Sequence, residues 1–255
     1  MTITLPGLSG AVLVYLLVFA RAGAMVMLLP PIGDASVPGR VRLVLALAIS
    51  CALAPTVAAS YPQQAPATAV ALVILVAQEI TCGLLIGAMA RIIMSAVSMA
   101  GFLIASQTGL SYAETLDPTA NGQQGAVVGN FLSMLAVVLI FASNLHHLAI
   151  GAVAGSYHVI PPGTALPTAD MAELAIRLVS GAFALGFQLA APFLVFGFAV
   201  NAGFGVLARM MPQLQVFFVA MPVNILAGFV VMALLIGTMM TLFLDFYSSQ
   251  MGAFL

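Results

Sequence analysis

Residues 67–110 read ATAVALVILVAQEITCGLLIGAMARIIMSAVSMAGFLIASQTGL, and only Glu79 and Arg91 in this stretch carry a charge. A helix needs about 20 mainly apolar residues to cross the hydrocarbon core of a bilayer. The run is therefore long enough for two membrane helices, and Arg91 marks the place where we expect them to meet. An apolar stretch of this length is typical of a chain that lies in a membrane.

The composition of the whole chain supports the same environment. Hydrophobic residues make up 63% of the 255 residues and charged residues 5%, whereas about 25% of a soluble domain is charged. So few charges cannot cover a water-exposed surface, and in lipid the backbone must satisfy its own hydrogen bonds in helices or a closed barrel. Because the apolar residues form unbroken runs rather than alternating strands, we predict an all-α integral membrane protein.

Five further apolar runs accompany this one, and short breaks rich in Pro and Gly separate them. They cover residues 8–29, 41–59, 126–155, 172–208 and 214–246. Proline ends or kinks helices, so the six runs predict six to seven hydrophobic helices. Nothing resembles a linker between soluble domains, and we predict one multi-pass membrane domain over residues 1–255.

The arginines predict an orientation in the membrane. With seven crossings, Arg40, Arg42 and Arg91 fall on one side, and cytoplasmic ends hold an excess of basic residues. We therefore expect these three arginines to face the cytoplasm, with the N-terminus outside and the C-terminus inside. Arg209 falls on the opposite side.

Three charges inside the apolar runs are candidate functional residues: Arg21, Glu79 and Arg91. A charge at the bilayer centre costs roughly 2.5–3.5 kcal/mol on insertion scales, so Glu79 must be protonated, paired or next to a polar cavity. Arg91 is too far along one helix to reach it, which makes Arg21 the better candidate partner. Two roles for Glu79 are compatible with this position: a proton relay, and a buried ion pair that orients helices. The buried pair is favoured because the same run holds no second acid.

Glycines four residues apart predict close helix packing. Gly83 and Gly87 form one such pair, and Gly151 and Gly155 form another. Small residues at this spacing let helix backbones approach closely in membranes. Chance is the alternative, since the chain has 23 glycines.

No pattern in the chain carries catalytic or metal chemistry. His146 and His147 point about 100° apart on a helix, which makes a shared metal difficult, and an interfacial or packing role is the better one for them and for His158. Cys51 and Cys82 are interpreted as buried small apolar residues. With no phosphate-binding or metalloprotease motif, and six scattered Arg without Lys, we predict no enzyme activity, no cofactor, no metal and no nucleic-acid partner.

Residues 111–125 form the most polar segment of the chain. Asp117-Pro118 and Asn121-Gly122 within it are turn signals. Long segments of this kind between packed helices are often lids or gates, and an ordinary exposed loop explains the composition equally well.

A set of short motifs spread along most of the chain carries a resemblance. The motifs are Val37-Pro38-Gly39-Arg40-Val41-Arg42-Leu43, Gln78-Glu79-Ile80 with Gly83, Gly87 and Arg91, Gln107-Thr108-Gly109-Leu110-Ser111 with Asp117-Pro118, Gly129-Asn130-Phe131-Leu132, and Phe204-Gly205-Val206-Leu207-Ala208-Arg209 with Pro212-Gln213. Each is weak alone. In this order and spacing they resemble the FliR/SctT family of flagellar and type III secretion export-gate subunits.

The resemblance implies a location, partners and substrates. Members of the family join FliP and FliQ in a helical, pore-forming assembly of bent hairpins in the bacterial inner membrane at the flagellar basal body. FlhB wraps this assembly, and FlhA forms the neighbouring export ring. Unfolded rod, hook and filament proteins pass through the pore.

The resemblance also implies a gate within the polar segment. A plug loop in the pore of the family matches residues 109–124 of this chain. Its candidate residues are Gly109, Leu110, Ser111, Tyr112, Glu114, Asp117, Pro118, Asn121, Gly122, Gln123 and Gln124.

Three alternatives remain beside a flagellar export subunit. One is an injectisome subunit of the SctT type. A secondary transporter would explain Glu79 and broken helices, but it predicts two corresponding halves, which the sequence does not show. An intramembrane enzyme would need a set of nucleophile, base or metal ligands, and none is recognisable.

Overall fold

The computed structural model of the chain describes residues 10–34, 36–61, 68–111, 126–211 and 216–254. In these ranges the chain forms seven α-helices and no β-strand, which confirms the all-α prediction. The helices are α1 (Gly10–Leu28), α2 (Gly39–Val57), α3 (Ala69–Gln107), α4 (Ala126–Ala142), α5 (His146–Val159), α6 (Thr168–Met210) and α7 (Val216–Met251). Short 3-10 turns follow α2 at Ala58–Ser60 and α7 at Gly252–Phe254.

The longest apolar run forms one helix rather than two. α3 continues without interruption from Ala69 to Gln107, so the prediction of two helices meeting near Arg91 is wrong. A charged side chain costs solvation energy in an apolar run, but it leaves the backbone hydrogen bonds intact. Only proline, an inserted group or a similar backbone defect bends a helix sharply, and α3 contains no proline.

The break that makes seven helices lies in the run 126–155, which the sequence suggested to be continuous. α4 and α5 meet at a bend of 71°. The N–H of Asn144 donates to the carbonyl of Phe141 at 3.2 Å, and that of Leu145 donates to the carbonyl of Ile140 at 3.0 Å. This pair of hydrogen bonds, with Asn144 at φ 58°, is a Schellman helix end, in which asparagine can replace the usual glycine.

Five helices in the described ranges are long and apolar enough to cross a membrane, and the bent pair α4–α5 could supply a sixth crossing. The expectation of seven crossings is therefore wrong, because α3 is a single helix. Arg91 lies in the middle of α3, so it no longer marks a membrane boundary. The predicted orientation loses that support and stays a prediction for Arg40 and Arg42.

The described residues group into two compact units. Unit 1 draws on Met1–Ile93, Ile140–Val179 and Tyr247–Leu255, and its core includes Leu17, Met25 and Tyr157. Unit 2 draws on Met94–Leu139 and Ser180–Phe246, and its core includes Ile104, Leu132, Phe193 and Phe243. That residues 1–255 form a single domain stays a prediction.

Candidate functional site

A buried ion pair joins α1 to α3 in unit 1. The guanidinium of Arg21 donates from Nε to Oε2 of Glu79 at 2.7 Å and from Nη2 to Oε1 at 3.1 Å. Arg21 is 1% exposed and Glu79 is 0% exposed. The structure thus brings together the two charges that the sequence suggested as partners, in a two-pronged geometry that only arginine can supply.

The remaining donors of Arg21 bind the end of α5. Nη1 donates to Oγ of Ser156 at 2.9 Å, and Nη2 also donates to the carbonyl of Ile160 at 3.2 Å. The centre of the guanidinium lies 3.9 Å from the ring centroid of Tyr157, a cation–π contact. Because Arg21 lies on α1 and its contacts reach two other segments, it fixes α1, α3 and the C-terminal end of α5 against one another.

Two tyrosines complete the cluster. The hydroxyl of Tyr61 donates to Oε2 of Glu79 at 3.0 Å, and the hydroxyls of Tyr61 and Tyr157 lie 3.2 Å apart. A phenol has a single proton, so Tyr61 donates to the carboxylate and accepts from Tyr157. Tyr61 follows α2, and its burial raises the pKa of its phenol above the usual range, with further contributions from Tyr157 and Glu79. It therefore stays a neutral donor.

We call Arg21, Tyr61, Glu79, Ser156 and Tyr157 the charged cluster. Both oxygens of Glu79 are occupied, and within the described residues they accept hydrogen bonds from a guanidinium and a phenol rather than from a second acid. Proton relays in membranes are chains of Asp, Glu and His, and the charged cluster contains no second acid and no histidine. This is the geometry that a buried, helix-orienting pair requires, and the structural role of Glu79 stays a prediction.

Arg91 is not part of the charged cluster. It lies exposed on α3. As expected, it is too far along this helix to pair with Glu79. Its functional role stays a prediction.

The glycines of α3 lie where α1 crosses closely. A Cβ on Gly83 would overlap the carbonyl oxygen of Arg21, and one on Gly87 would lie 2.8 Å from the carbonyl oxygen of Met25. Gly151 and Gly155 are half-buried on α5. Sequence reasoning missed a second close approach in unit 2, where a Cβ on Gly101 would overlap the backbone of Gly129. These two glycines are on different helices, so no spacing rule within one helix reveals them.

The last turn of α3 in unit 2 leads into the predicted plug segment. The hydroxyl of Thr108 donates to the carbonyl of Ile104 at 3.0 Å, and Gly109 turns the chain at φ 77°, a conformation that favours glycine. The side chain of Asn224 on α7 donates from Nδ2 to the carbonyl of Gln107 at 3.2 Å.

The structure describes only the first three predicted plug residues, Gly109, Leu110 and Ser111. The others lie outside the described residues: Tyr112, Glu114, Asp117, Pro118, Asn121, Gly122, Gln123 and Gln124.

His146 and His147 lie in ring contacts. The ring of His146 stacks on Phe141 with centroids 4.9 Å apart and lies 4.1 Å from that of His147. In the part of the chain that the structure describes, no three residues among His, Cys, Asp and Glu gather as metal ligands. Cys82 is buried, as predicted. Cys51 is exposed on α2, so the prediction that it is buried is wrong for this chain.

Comparison with known proteins identifies the family. Residues 12–249 match the family described as Bacterial export proteins, family 1. The chain belongs to this family. Its similar relatives include the flagellar biosynthetic protein FliR of Caulobacter vibrioides, which is 41% identical over 93% of this chain and 94% of that protein. The FliR protein of Escherichia coli is 32% identical over 84% of this chain and 81% of its own length.

A secretion protein outside the flagellum is also similar. The Yop proteins translocation protein T of Yersinia pestis is 28% identical over 83% of this chain and 81% of that protein. The higher identity to the FliR proteins of Caulobacter vibrioides and Escherichia coli favours the flagellar system over the injectisome. The chain is a multi-pass inner-membrane subunit of the flagellar type III export apparatus, as expected from the motifs. Membership in this family also argues against the alternative that the chain is a secondary transporter.

Proposed function

We propose that this subunit forms part of the export pore itself, together with FliP and FliQ, next to FlhB and FlhA. Unfolded rod, hook and filament proteins pass through that pore, and the subunit acts without catalysis or a cofactor. The observation that carries the proposal is the family match over residues 12–249. Features of the described helices support it independently.

The length of three helices supports a large helical assembly. α3, α6 and α7 contain 39, 43 and 36 residues. At about 1.5 Å per residue they reach about 55–65 Å if straight, roughly twice the 30 Å hydrocarbon core of a bilayer. Helices this long need other protein to cover the parts that the hydrocarbon core cannot contain.

The C-terminal end of α6 supports contact with partner subunits. From residue 201 to residue 210, every residue except Phe204 is exposed, and a Cβ on Gly203 or Gly205 would meet nothing within 4 Å. A helix that is apolar all round is normally buried in protein or lipid. Asn201 and Arg209 make lipid alone a poor environment for it.

One face of α7 supports the same conclusion. Gly237, Thr238 and Thr241 lie exposed on it, and Gly237 has open space beside it. Glycine and threonine are the residues that let membrane helices pack tightly and hydrogen-bond across an interface. This face suits a helix of a partner subunit better than it suits lipid chains.

The plug segment, residues 109–124, supplies the closure of the pore in this proposal. A protein-export channel must retain ions and metabolites when idle, and polar plugs and hydrophobic constrictions are the available devices. Asp117-Pro118 and Asn121-Gly122 provide turn residues, and the segment is the most polar in the sequence. We expect it to move aside when a substrate passes.

Two experiments test the proposal. Co-expression with FliP and FliQ should give a mixed complex that survives purification in detergent, and a chain that purifies alone would contradict the pore assembly.

Deleting residues 112–123 and joining the ends with a Gly-Ser link should leave the complex assembled but make cells leaky to small solutes and sensitive to salt. An assembled complex that stays tight without the segment would contradict the plug.

A further inference from the structure

The C-terminal half of α7 carries a polar strip on the outside of unit 2. Residues 225–236 of this helix include no polar side chain, whereas Thr238, Thr241 and Asp245 follow directly after them. Residues three and four positions apart are neighbours on one face of a helix, and all three are exposed. We call these residues, together with the exposed Gly237 beside them, the acidic strip.

The buried side of the same helical turns is apolar. Met239, Met240 and Phe243 are 3%, 4% and 0% exposed. A helix surrounded by lipid places apolar side chains outward, and acids within membrane segments almost always face other protein or a water-filled cavity. The surroundings of the acidic strip are therefore not lipid chains.

Water alone does not explain the surface around the strip either. Leu234 lies one turn before Thr238 and is 76% exposed, and Leu242 beside Thr241 is 44% exposed. Leucines at both edges of the strip gain stability when a second apolar surface covers them. A Cβ on Gly237 would meet nothing within 4 Å, so a neighbouring backbone has room to come close. This surface fits a second membrane helix.

The hydrogen bonds of α7 indicate what that helix must supply. The hydroxyl of Thr241 donates to the carbonyl of Thr238 at 2.9 Å, so its proton is used within α7 and its oxygen is left to accept. An ionised carboxylate only accepts hydrogen bonds, and Asp245 is exposed, so a neighbour can reach it. The neighbour must provide donors, and a charged donor forms the stronger bond with a carboxylate.

We infer that the acidic strip is the docking surface for a helix of a partner subunit that presents an arginine or lysine to Asp245 and a small residue to Gly237. The inference rests on the proposed assembly with partner subunits, and it adds the chemistry by which this face selects its partner. Complementary charges at such an interface fix the register of the two helices and reject wrong partners.

The first test uses the complex purified from cells through a tag on this subunit. Asp245→Asn removes the charge at nearly constant size, and Asp245→Arg reverses it. Glu173→Gln is the matched control, because Glu173 is an exposed acid whose cationic partner, Arg177, lies one turn away on its own helix. The amount of subunit in the membrane and the amount of partner subunit purified with it are measured for each chain.

We expect Asp245→Asn to lower the amount of co-purified partner several-fold and Asp245→Arg to lower it further, while Glu173→Gln leaves it unchanged. The amount of subunit in the membrane should be the same in all chains. An Asp245→Arg chain that carries as much partner as the wild type would overturn this inference alone. A wild-type chain that carries no partner would overturn the proposed assembly, and this inference with it.

The second test leaves Asp245 intact, so it decides the question even if the Asp245 variants fail to accumulate. A photoreactive amino acid at position 238 should cross-link, in the assembled complex, to a partner helix with an arginine or lysine within one turn of the linked residue. An acid in place of that cation should weaken the complex, and Asp245→Arg should then restore it. Cross-links only to lipid or to an exported protein, or a charge swap that restores nothing, would contradict the docking surface.

Discussion

Two helix junctions in this chain are built from different chemistry. In unit 1, the charged cluster joins α1, α3 and α5 through a buried ion pair in which each nitrogen of Arg21 and each oxygen of Glu79 has a hydrogen-bond partner. In unit 2, the end of α3 contacts α6 and α7 through glycines and one neutral hydrogen bond, and the oxygen of Asn224 remains without a partner among the described residues.

The difference predicts how easily each junction opens. Separation of Arg21 from Glu79 would leave two unpaired charges in apolar surroundings, which is strongly unfavourable. Separation at Asn224 loses one neutral hydrogen bond of about 0.5–1.5 kcal/mol. We therefore expect the second junction to separate at a lower free-energy cost than the first.

The largest effect is expected from breaking the ion pair on one side. Glu79→Leu leaves Arg21 buried without its counter-charge, and we expect a loss of about 3–5 kcal/mol in stability and weakened assembly with the partner subunits. Thermal unfolding of the purified complex and its yield measure this loss. The double variant Arg21→Leu/Glu79→Leu should be more stable than Glu79→Leu alone, and a double variant that is less stable would contradict the ion-pair explanation.

The variant Glu79→Gln distinguishes a structural role of Glu79 from a role in proton transfer. The amide keeps the size and one acceptor oxygen of the carboxylate, so we expect the complex to assemble and to export. An intact complex that no longer exports would show that Glu79 must ionise, and the proton relay would replace the structural role.

Within the charged cluster, the two tyrosines should differ. Tyr61→Phe removes a donor to a carboxylate, a bond worth about 1.5–3 kcal/mol, whereas Tyr157→Phe removes only a neutral hydroxyl contact worth about 0.5–1.5 kcal/mol and keeps its ring beside Arg21. Denaturation of the two variants under the same conditions should rank Tyr61→Phe as less stable. The opposite ranking would mean that Tyr157, not Tyr61, supports the carboxylate.

Glycine substitutions compare packing in the two units. Gly83→Ala in unit 1 and Gly101→Ala in unit 2 both place a methyl group against backbone, and overpacking of this kind costs about 1–3 kcal/mol. Gly237→Ala is the control, because its Cβ would meet nothing within 4 Å. Melting temperatures of the isolated subunit provide the measurement. A Gly83→Ala variant as stable as the control would show that α1 and α3 can move apart freely.

The smallest effect is expected from the exposed ion pair. Arg177 and Glu173 lie one turn apart near the start of α6, with side chains 76% and 61% exposed. Exposed pairs of this kind contribute about 0–0.5 kcal/mol, so Arg177→Ala should leave the melting temperature nearly unchanged. A large loss of complex would reveal that Arg177 contacts a partner subunit or a lipid headgroup.

The sequence predicted the parts of the fold that depend on local composition. Apolar runs of helical length predict helices in a membrane, and the all-α prediction is confirmed. The pairing of Arg21 with Glu79 could also be predicted, because a lone buried acid in lipid needs a basic partner and the chain has few basic residues in its apolar runs. The family followed from motifs in a fixed order.

The positions where helices end were harder to predict from the sequence. Arg91 suggested a helix end and none is there, because charge acts on solvation and leaves helical hydrogen bonds intact. The real break at Asn144 depends on two hydrogen bonds that close a left-handed turn, and one asparagine in an apolar run is a weak signal for it.

The amino-acid sequence by itself thus determined the environment of this protein, its helical class and its family, since these follow from composition and from the order of motifs. Only the tertiary structure decided which residues meet: Ser156 and Tyr61 around Arg21 and Glu79, Gly101 against Gly129, and Asn224 on the end of α3. Such contacts join residues far apart in the chain, and their geometry depends on how neighbouring helices pack. No pattern within a single helix encodes that packing.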